Sequence, residues 1–393
     1  MKATVTAGAL SSAAGWVARI VPGRPTVPVL GGVLIEATSD VDRDEVSLSA
    51  FDYDTAGVAR LADGVLTVDE PGRVLVSGRL LAAVAKTLGS GETPIVLEVG
   101  SDGRCAIVAG RSRWDMPTLA IDDYPAMPVD VDAVGRVDAA AFVAATERVL
   151  DVPNDHQGTI KALGGVAIEG VADGPLTLVA TDRWRLAVAE VDWTPAPGLE
   201  QVLVPAPAVR LAAGAVAGTS GEVELLASAG TFGVRTAERT LSTRLLAESY
   251  PRWRNLDMTP DKKGHSFVAS STVAVADLRA AMTRASVMLP DAGTLDLRFT
   301  ADGVEITAGG DDGQAEHVAD VAAHDGEEVV QRLNAQYLRE AIDGAGSEHV
   351  RLDLPSAAKA VLLRPCQPDG TPLPAYRHTV MAVRRTDAAS VAA

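Results

Sequence analysis

Cysteine is almost missing from these 393 residues: Cys105 and Cys366 are the whole complement. Two thiols cannot build a disulfide framework in a chain of this size, and their spacing is not that of metal ligands. A reducing cytoplasm suits such a chain. Long apolar runs are missing as well. The opening MKATVTAGAL has no continuous apolar core, and no later stretch reaches the uninterrupted length that crosses a bilayer, so neither secretion nor membrane insertion is expected. Positive charge is in deficit. Lys and Arg number 35 against 52 Asp and Glu, and the net charge of -17 argues against a protein that coats nucleic acid with its whole surface.

What is present is a hydrophobic fraction of 47%, enough for two to four domains with a core each. Three segments read alike: VLVSGRLLAAVAKTLGSGETPIVLEV (74–99), VLVPAPAVRLAAGAVAGTSGEVELLA (202–227) and VVQRLNAQYLREAIDGAGSEHVRLDL (329–354). Each runs strand, helix, Gly-containing turn, strand. The helix in the first rests on the spacing of Leu80, Leu81, Val84 and Leu88, with Gly89 positioned to end it. An earlier helix precedes each copy, at Leu10–Ile20, Ala140–Leu150 and Asp277–Leu289, making six. Two further segments, TLAIDDYPAMP (118–128) and RLLAESYPRWRNL (244–256), place Tyr-Pro after an acidic residue, and the proline makes each an extended linker entry. The expected organisation is an α+β protein of three similar domains, 1–129, 130–262 and 263–385, each with two helices packed on antiparallel sheet. A flexible tail is expected over 386–393.

The helical segments together carry a net +5, which leaves -22 for everything else. Such segregation suits helices that face phosphates while an acidic exterior repels them. It also follows from Lys and Arg being better helix formers than Asp.

Three regions resemble the bacterial DNA polymerase III beta subunits, the beta sliding clamps, with an actinobacterial cast. The first is MKATVTAGALSSAAGWVARIVPGRPTVPVLGGVLIEA with SAFDYDTAGVAR (49–60) and GRSRWDMPTLAIDDYPAMP (110–128). The second, LVATDRWRLAVAEV (178–191), is similar to the family's Ala-Thr-Asp-x-aromatic-Arg-Leu-Ala motif. Taken alone it reads as a hairpin with a half-exposed Trp. The third is the terminal strand YRHTVMAVR (376–384), where Ala382 replaces the family's proline and the chain runs nine residues past Arg384. The loop DVPNDHQGTIKALGG (151–165) also departs from the family's usual form.

The resemblance implies three DNA-clamp domains that close into a ring as a head-to-tail homodimer around duplex DNA, bound without regard to sequence. It implies a processivity factor with no active site and no cofactor. Its partners would be the DNA polymerase III alpha subunit, the clamp loader and other replication and repair proteins, docking through short linear motifs. Arg24 matches a family position that touches DNA, and Arg79, Lys86, Arg210, Arg279 and Arg284 join it by helix placement. Trp114 and Met116 would meet Val287 and Met288 of a second copy, although core packing would account for each of them singly. The positions matching the partner-peptide pocket are Leu163, Thr181, Arg183, Trp184, Arg185 and Leu186, then Pro251, Leu256, Val380, Met381 and Arg384. Leucines, proline and methionine offer an apolar slot, and the polar groups fix orientation.

Two other readings stand beside this one. Asp52 with Asp54, Asp122 with Asp123, and the histidines 156, 265, 317, 324, 349 and 378 offer acids and ligands for a metal-dependent enzyme. No spacing among them makes a zinc motif, a phosphate loop or a nucleophile elbow. Alternatively Ala382, Trp184, the altered loop 151–165 and the tail suit a specialised clamp paralogue, one that confers resistance to a pocket-binding antibiotic or travels on a mobile element.

Overall fold

Among the described residues six α-helices recur, each of eleven residues and each beginning directly after a β-strand: α1 (Ala7–Val17), α2 (Gly78–Leu88), α3 (Ala139–Val149), α4 (Ala206–Val216), α5 (Val275–Ala285) and α6 (Ala335–Ala345). At several of these junctions the last strand residue caps the helix with its side chain, whereas Pro205 before α4 and Ala274 before α5 do not. Thr6 Oγ1 accepts from Ala9 N at 3.2 Å, Asp138 Oδ1 from Ala141 N at 2.9 Å, and Asn334 Oδ1 from Tyr337 N at 3.0 Å. Such oxygens satisfy donors that the first helical turn leaves unpaired, each stabilising the helix by about 1 kcal/mol. Gly89 and Gly346 follow α2 and α6 at positive φ, 76° and 60°, as chain-reversing residues. Apolar spacing sets the buried face: Leu338, Ala341, Ile342 and Ala345 of α6 point into the core.

The computed structural model describes residues 1–41, 43–61, 67–128, 131–154, 158–259, 267–289, 293–310, 313–356 and 359–384. The expected domain limits at 129/130 and 262/263, the tail 386–393, and His156 and His265 lie outside them. The chain divides into two compact units, Met1–Val143 with Trp193–Leu245, and Ala144–Asp192 with Leu246–Ala393. These units cut across the three sequence repeats because strand pairing joins neighbouring repeats into common sheets.

In the first unit a ten-stranded antiparallel sheet continues from one repeat to the next through Thr55–Arg60 paired with Arg239–Arg244. Thr55 and Thr243 share a buried hydroxyl hydrogen bond of 3.1 Å across that ladder. Helices α1 and α2 pack side by side; α1 lies on Thr55–Arg60 and α4 on Arg239–Arg244. A five-stranded sheet completes the unit, with Ser112–Met116 at its edge. In the second unit, Gly165–Glu169, Leu176–Thr181, Arg185–Val191, Tyr376–Val380, Val361–Cys366, His349–Leu354, Ala269–Ala274 and Val321–Gly326 lie in that order in one sheet. Here Arg185–Val191 paired with Tyr376–Val380 is the inter-repeat ladder. A four-stranded sheet has Gly313–Ala319 at its edge.

Two expectations are corrected. The helix expected over 277–289 ends at Ala285 and tightens into a 3-10 turn, Ser286–Met288, which turns Val287 outward. The Tyr-Pro segments are anchors as well as extended exits. Tyr124 packs on Val29, Leu34 and Leu75, and burial pushes its hydroxyl up to about 12. The Tyr250 hydroxyl donates to Val179 O at 3.3 Å, and burial raises its pKa.

Candidate functional site

The motif Thr181–Leu186 forms a tight turn between the strands Leu176–Thr181 and Arg185–Val191. Asp182 builds it: Oδ1 accepts from Trp184 N at 2.9 Å and Arg185 N at 3.0 Å, while Arg183 takes a φ of 80°. Thr181 Oγ1 donates to Arg185 O at 2.7 Å. The turn thereby forces Trp184 outward, where it is 54% exposed.

Arg185 points the other way. Its Nε donates to Asp182 Oδ2 at 3.1 Å, Nη1 to Glu340 on α6, and Nη2 to Asp151 O at 2.6 Å; its guanidinium stacks 4.3 Å from the Tyr337 ring centre. With its side chain buried, Arg185 supports the turn from behind and offers nothing outward. Asp182, Glu340 and Tyr337 are the residues that sequence reasoning missed. The signal for Asp182 was its place two residues before an outward Trp, the spacing of an Asx turn.

The terminal strand brings the remaining residues alongside. Val380 pairs with Arg185, and Met381 N donates to Trp184 O at 2.8 Å. Met381 is 40% exposed, and Val383 N donates to Arg332 O at 2.8 Å. The segment 250–257 is pinned to the same sheet. Trp253 Nε1 donates to Glu169 at 2.7 Å, and Arg377 binds Asp257 Oδ2 through Nε at 3.1 Å and Nη2 at 3.0 Å. Burial works to raise the Asp257 carboxyl, but Arg377 and Thr259 outweigh it and hold it below the usual range. Leu256 stands out of this segment, 46% exposed. Leu163, Thr181, Leu186 and Val380 are buried beneath, Pro251 is half-buried, and Arg183 and Arg384 are exposed. Trp184, Leu256 and Met381 are therefore outward apolar side chains on a rigid frame.

The other expected residues are placed less uniformly. Arg24, Arg79, Lys86, Arg210, Arg279 and Arg284 are all exposed, but Arg279 is paired with Asp343 of α6, which cancels its charge. Val287 is 80% and Met288 43% exposed, and Trp114 is half-buried. Met116, on the same strand as Trp114, is 3% exposed and packs into the core of the single chain. Of the acidic clusters, Asp52 is spent on a turn, its Oδ1 accepting from Asp54 N at 3.0 Å and Thr55 N at 2.6 Å.

Family models for the N-terminal, central and C-terminal domains of the DNA polymerase III beta subunit match residues 1–128, 138–252 and 265–373. This chain belongs to that family. It is a sliding clamp, a processivity factor in DNA replication and not an enzyme. The clamp is 33% identical to the beta sliding clamp of Streptomyces coelicolor, covering 98% of this chain and 99% of that one. It is 28% identical to the beta sliding clamp homolog GriR of Streptomyces muensis, with the same coverage of 98% and 99%. Its fold superposes on the crystal structure of a Pseudomonas aeruginosa sliding clamp bound to griselimycin with a TM-score of 0.86, at 24% identity and coverage of 98% and 100%. The three-domain clamp fold, with helices on antiparallel sheets, is the one the sequence repeats suggested. No helix among the described residues is long and apolar enough to cross a membrane.

Proposed function

We propose that two copies of this clamp close head to tail around duplex DNA, through domains 1–129, 130–262 and 263–385, and that partners dock by short peptides on the Trp184, Leu256 and Met381 surface. The observation that carries the docking half is the Asp182 turn, which turns a large indole outward beside the half-exposed Met381. Large, exposed, rigidly held apolar side chains are what a peptide anchor needs. Leu163, Thr181, Leu186, Pro251 and Val380 form the frame, and Arg183 and Arg384 stand as polar groups that orient the peptide. The polymerase III alpha subunit and the clamp loader are the partners this surface would take, in the cytoplasm.

For the ring, two sheet edges supply the chemistry. Among the described residues Ser112–Met116 and Gly313–Ala319 each end a sheet, and an antiparallel pairing between copies would join the two edges. Val287 and Met288 lie at the second edge, where a carbon on Gly313 would sit 3.7 Å from Met288 Cε, and Trp114 lies on the first. Arg24, Arg79, Lys86, Arg210 and Arg284 would face the duplex, Arg279 contributing less because of Asp343. Light scattering on the full chain tests closure: a particle of twice the chain mass is expected, and a persistent monomer at micromolar concentration would remove the ring.

The resistance-paralogue reading has one observation in its favour, the bulk of Trp184 beside Ala382. Identity to the Streptomyces coelicolor clamp exceeds that to GriR, which favours an ordinary replication clamp.

A further inference from the structure

The seam between α1 and α4 holds two arginines that the proposed clamp function has not used. Arg239 opens the strand Arg239–Arg244 and lies across the seam. Its Nη1 donates to Gly214 O on α4 at 3.1 Å, its Nη2 to Ser12 Oγ on α1 at 2.8 Å, and its guanidinium sits 5.6 Å from the Trp16 ring centre. Arg19, at the end of α1, reaches the same place from the other side: a carbon added to Gly214 would lie 3.6 Å from Arg19 Nη1. Two guanidinium groups therefore meet at one glycine.

Among the described residues neither arginine forms a salt bridge. Burial lowers the Arg239 pKa, Glu238 opposes this, and Arg19 lowers it further. Like charges held together without a carboxylate between them are costly unless an anion joins them. The arrangement is also fixed in advance, since Arg239 is anchored by two hydrogen bonds and a ring. Its outer side borders an open cavity of about 410 Å³ that runs on past Thr236 and Glu238 and is left open by the described residues. Ser12 and Gly15 mark the exposed face of α1 with Arg19 exposed just past its end, and Arg210 that of α4 with Ala217 exposed just past its end. The seam opens between these faces.

We propose that Arg19 and Arg239 form a clasp for one phosphate in the seam between α1 and α4, and that its occupant is a backbone phosphate of the encircled duplex. Guanidinium groups suit the task because each presents paired donors that match phosphate oxygens. One shared phosphate adds a single salt-sensitive contact, which holds the duplex without halting sliding. The clasp rests on the proposed reading that these helices face DNA.

The test is a sodium chloride titration of full-length clamp binding to a fluorescent duplex, for wild type, Arg19→Gln, Arg239→Gln, the double variant, and Arg24→Gln with Arg210→Gln. Arg19 is exposed, so its substitution reports on the clasp even where Arg239→Gln loosens the seam. Losing the clasp should lower the slope of log K against log salt by about 0.9 for each copy whose clasp holds a phosphate, about 1.8 where both copies of the ring do, in either single variant, and by no more in the double. A slope unchanged in the Arg19 and Arg239 variants but lowered by Arg24→Gln with Arg210→Gln overturns the clasp and leaves the DNA-facing surface standing. A slope unchanged in every variant overturns both. Melting in inorganic phosphate against chloride, at matched ionic strength, separates the sources. If phosphate stabilises wild type over Arg19→Gln while the DNA slopes agree, the occupant is free phosphate and the duplex assignment fails.

Discussion

Met381 N donates to Trp184 O at 2.8 Å, and at the corresponding place in the other inter-repeat ladder Arg244 N donates to Asp54 O at the same 2.8 Å. The two turns match in detail. Asp52 and Asp182 each accept from the amides two and three residues on, and Tyr53 and Arg183 each take a φ near 80°. One turn presents Trp184 and Met381; the other presents an ion pair, Arg244 with Asp54 at 3.7 Å. The backbone is thus used twice, and on the proposed reading side chains alone would make one copy a docking surface. Carrying the charged pair over as Trp184→Asp with Met381→Arg should abolish binding of a clamp-binding peptide, measured by fluorescence anisotropy, while melting stays within a few degrees of wild type. Met381→Ala alone should cost about 1–2 kcal/mol, a five- to thirtyfold weaker complex. Undiminished binding in both variants would place the peptide elsewhere.

Asp182 carries the turn and the charge beneath it. Asp182→Ala leaves the Arg185 guanidinium buried with one partner fewer and frees two backbone amides, which should destabilise the second unit by about 3–5 kcal/mol. Asp182→Asn retains the amide acceptor and should lose less. Chemical denaturation of both variants checks the order, and equal losses would assign the effect to charge alone.

The local parts of this architecture could be read from the chain, and the long-range parts could not. Apolar spacing and capping residues are local, so all six helices fall within a few residues of their expected places, α5 being cut short where Ser286 begins a tighter turn. Arg185 illustrates the other case. It sits in a motif that looks outward, yet its partners Glu340 and Asp151 lie 155 and 34 residues away, a distance no periodicity reports. Met116 reads as an interface residue beside Trp114, and the two share one face of their strand, yet Met116 is 3% exposed and Trp114 half-buried, because burial along a face depends on what packs there.

His378 sets a pH response. Its ring is fully buried, Nδ1 lies 2.8 Å from the Tyr376 hydroxyl, and burial with help from Arg185 brings its pKa down to about 3. In the unfolded chain it titrates near 6.5. Between these values the unfolded state binds a proton that the folded state refuses, so stability falls as pH falls through that window, and the residue has no effect above it. The slope approaches about 1.4 kcal/mol per pH unit, or roughly 2 kcal/mol lost between pH 7 and 5. His378→Asn should flatten that part of the stability profile, whatever it does to the absolute level. An unchanged slope would show that His378 is reached by water in the folded state.

Val287 is 80% exposed, large and apolar at the end of α5. Replacing it with Asp should leave folding of the single chain intact, because the side chain buries little surface there. Between two copies it would place an unpaired charge in a desolvated contact, weakening the dimer by about 2 kcal/mol or more. Sedimentation equilibrium would show a dissociation constant raised at least about tenfold; an unaltered value would remove Val287 from the interface.

Topological linkage to DNA is the central claim, and retention on circular DNA tests it most directly. Labelled clamp is loaded onto nicked plasmid with a clamp loader and ATP, washed in high salt, and counted before and after the plasmid is cut once. A closed ring predicts clamp held on the circle through the wash and released when the ends are opened. Clamp that leaves the circle and the linear molecule at the same rate would contradict the account.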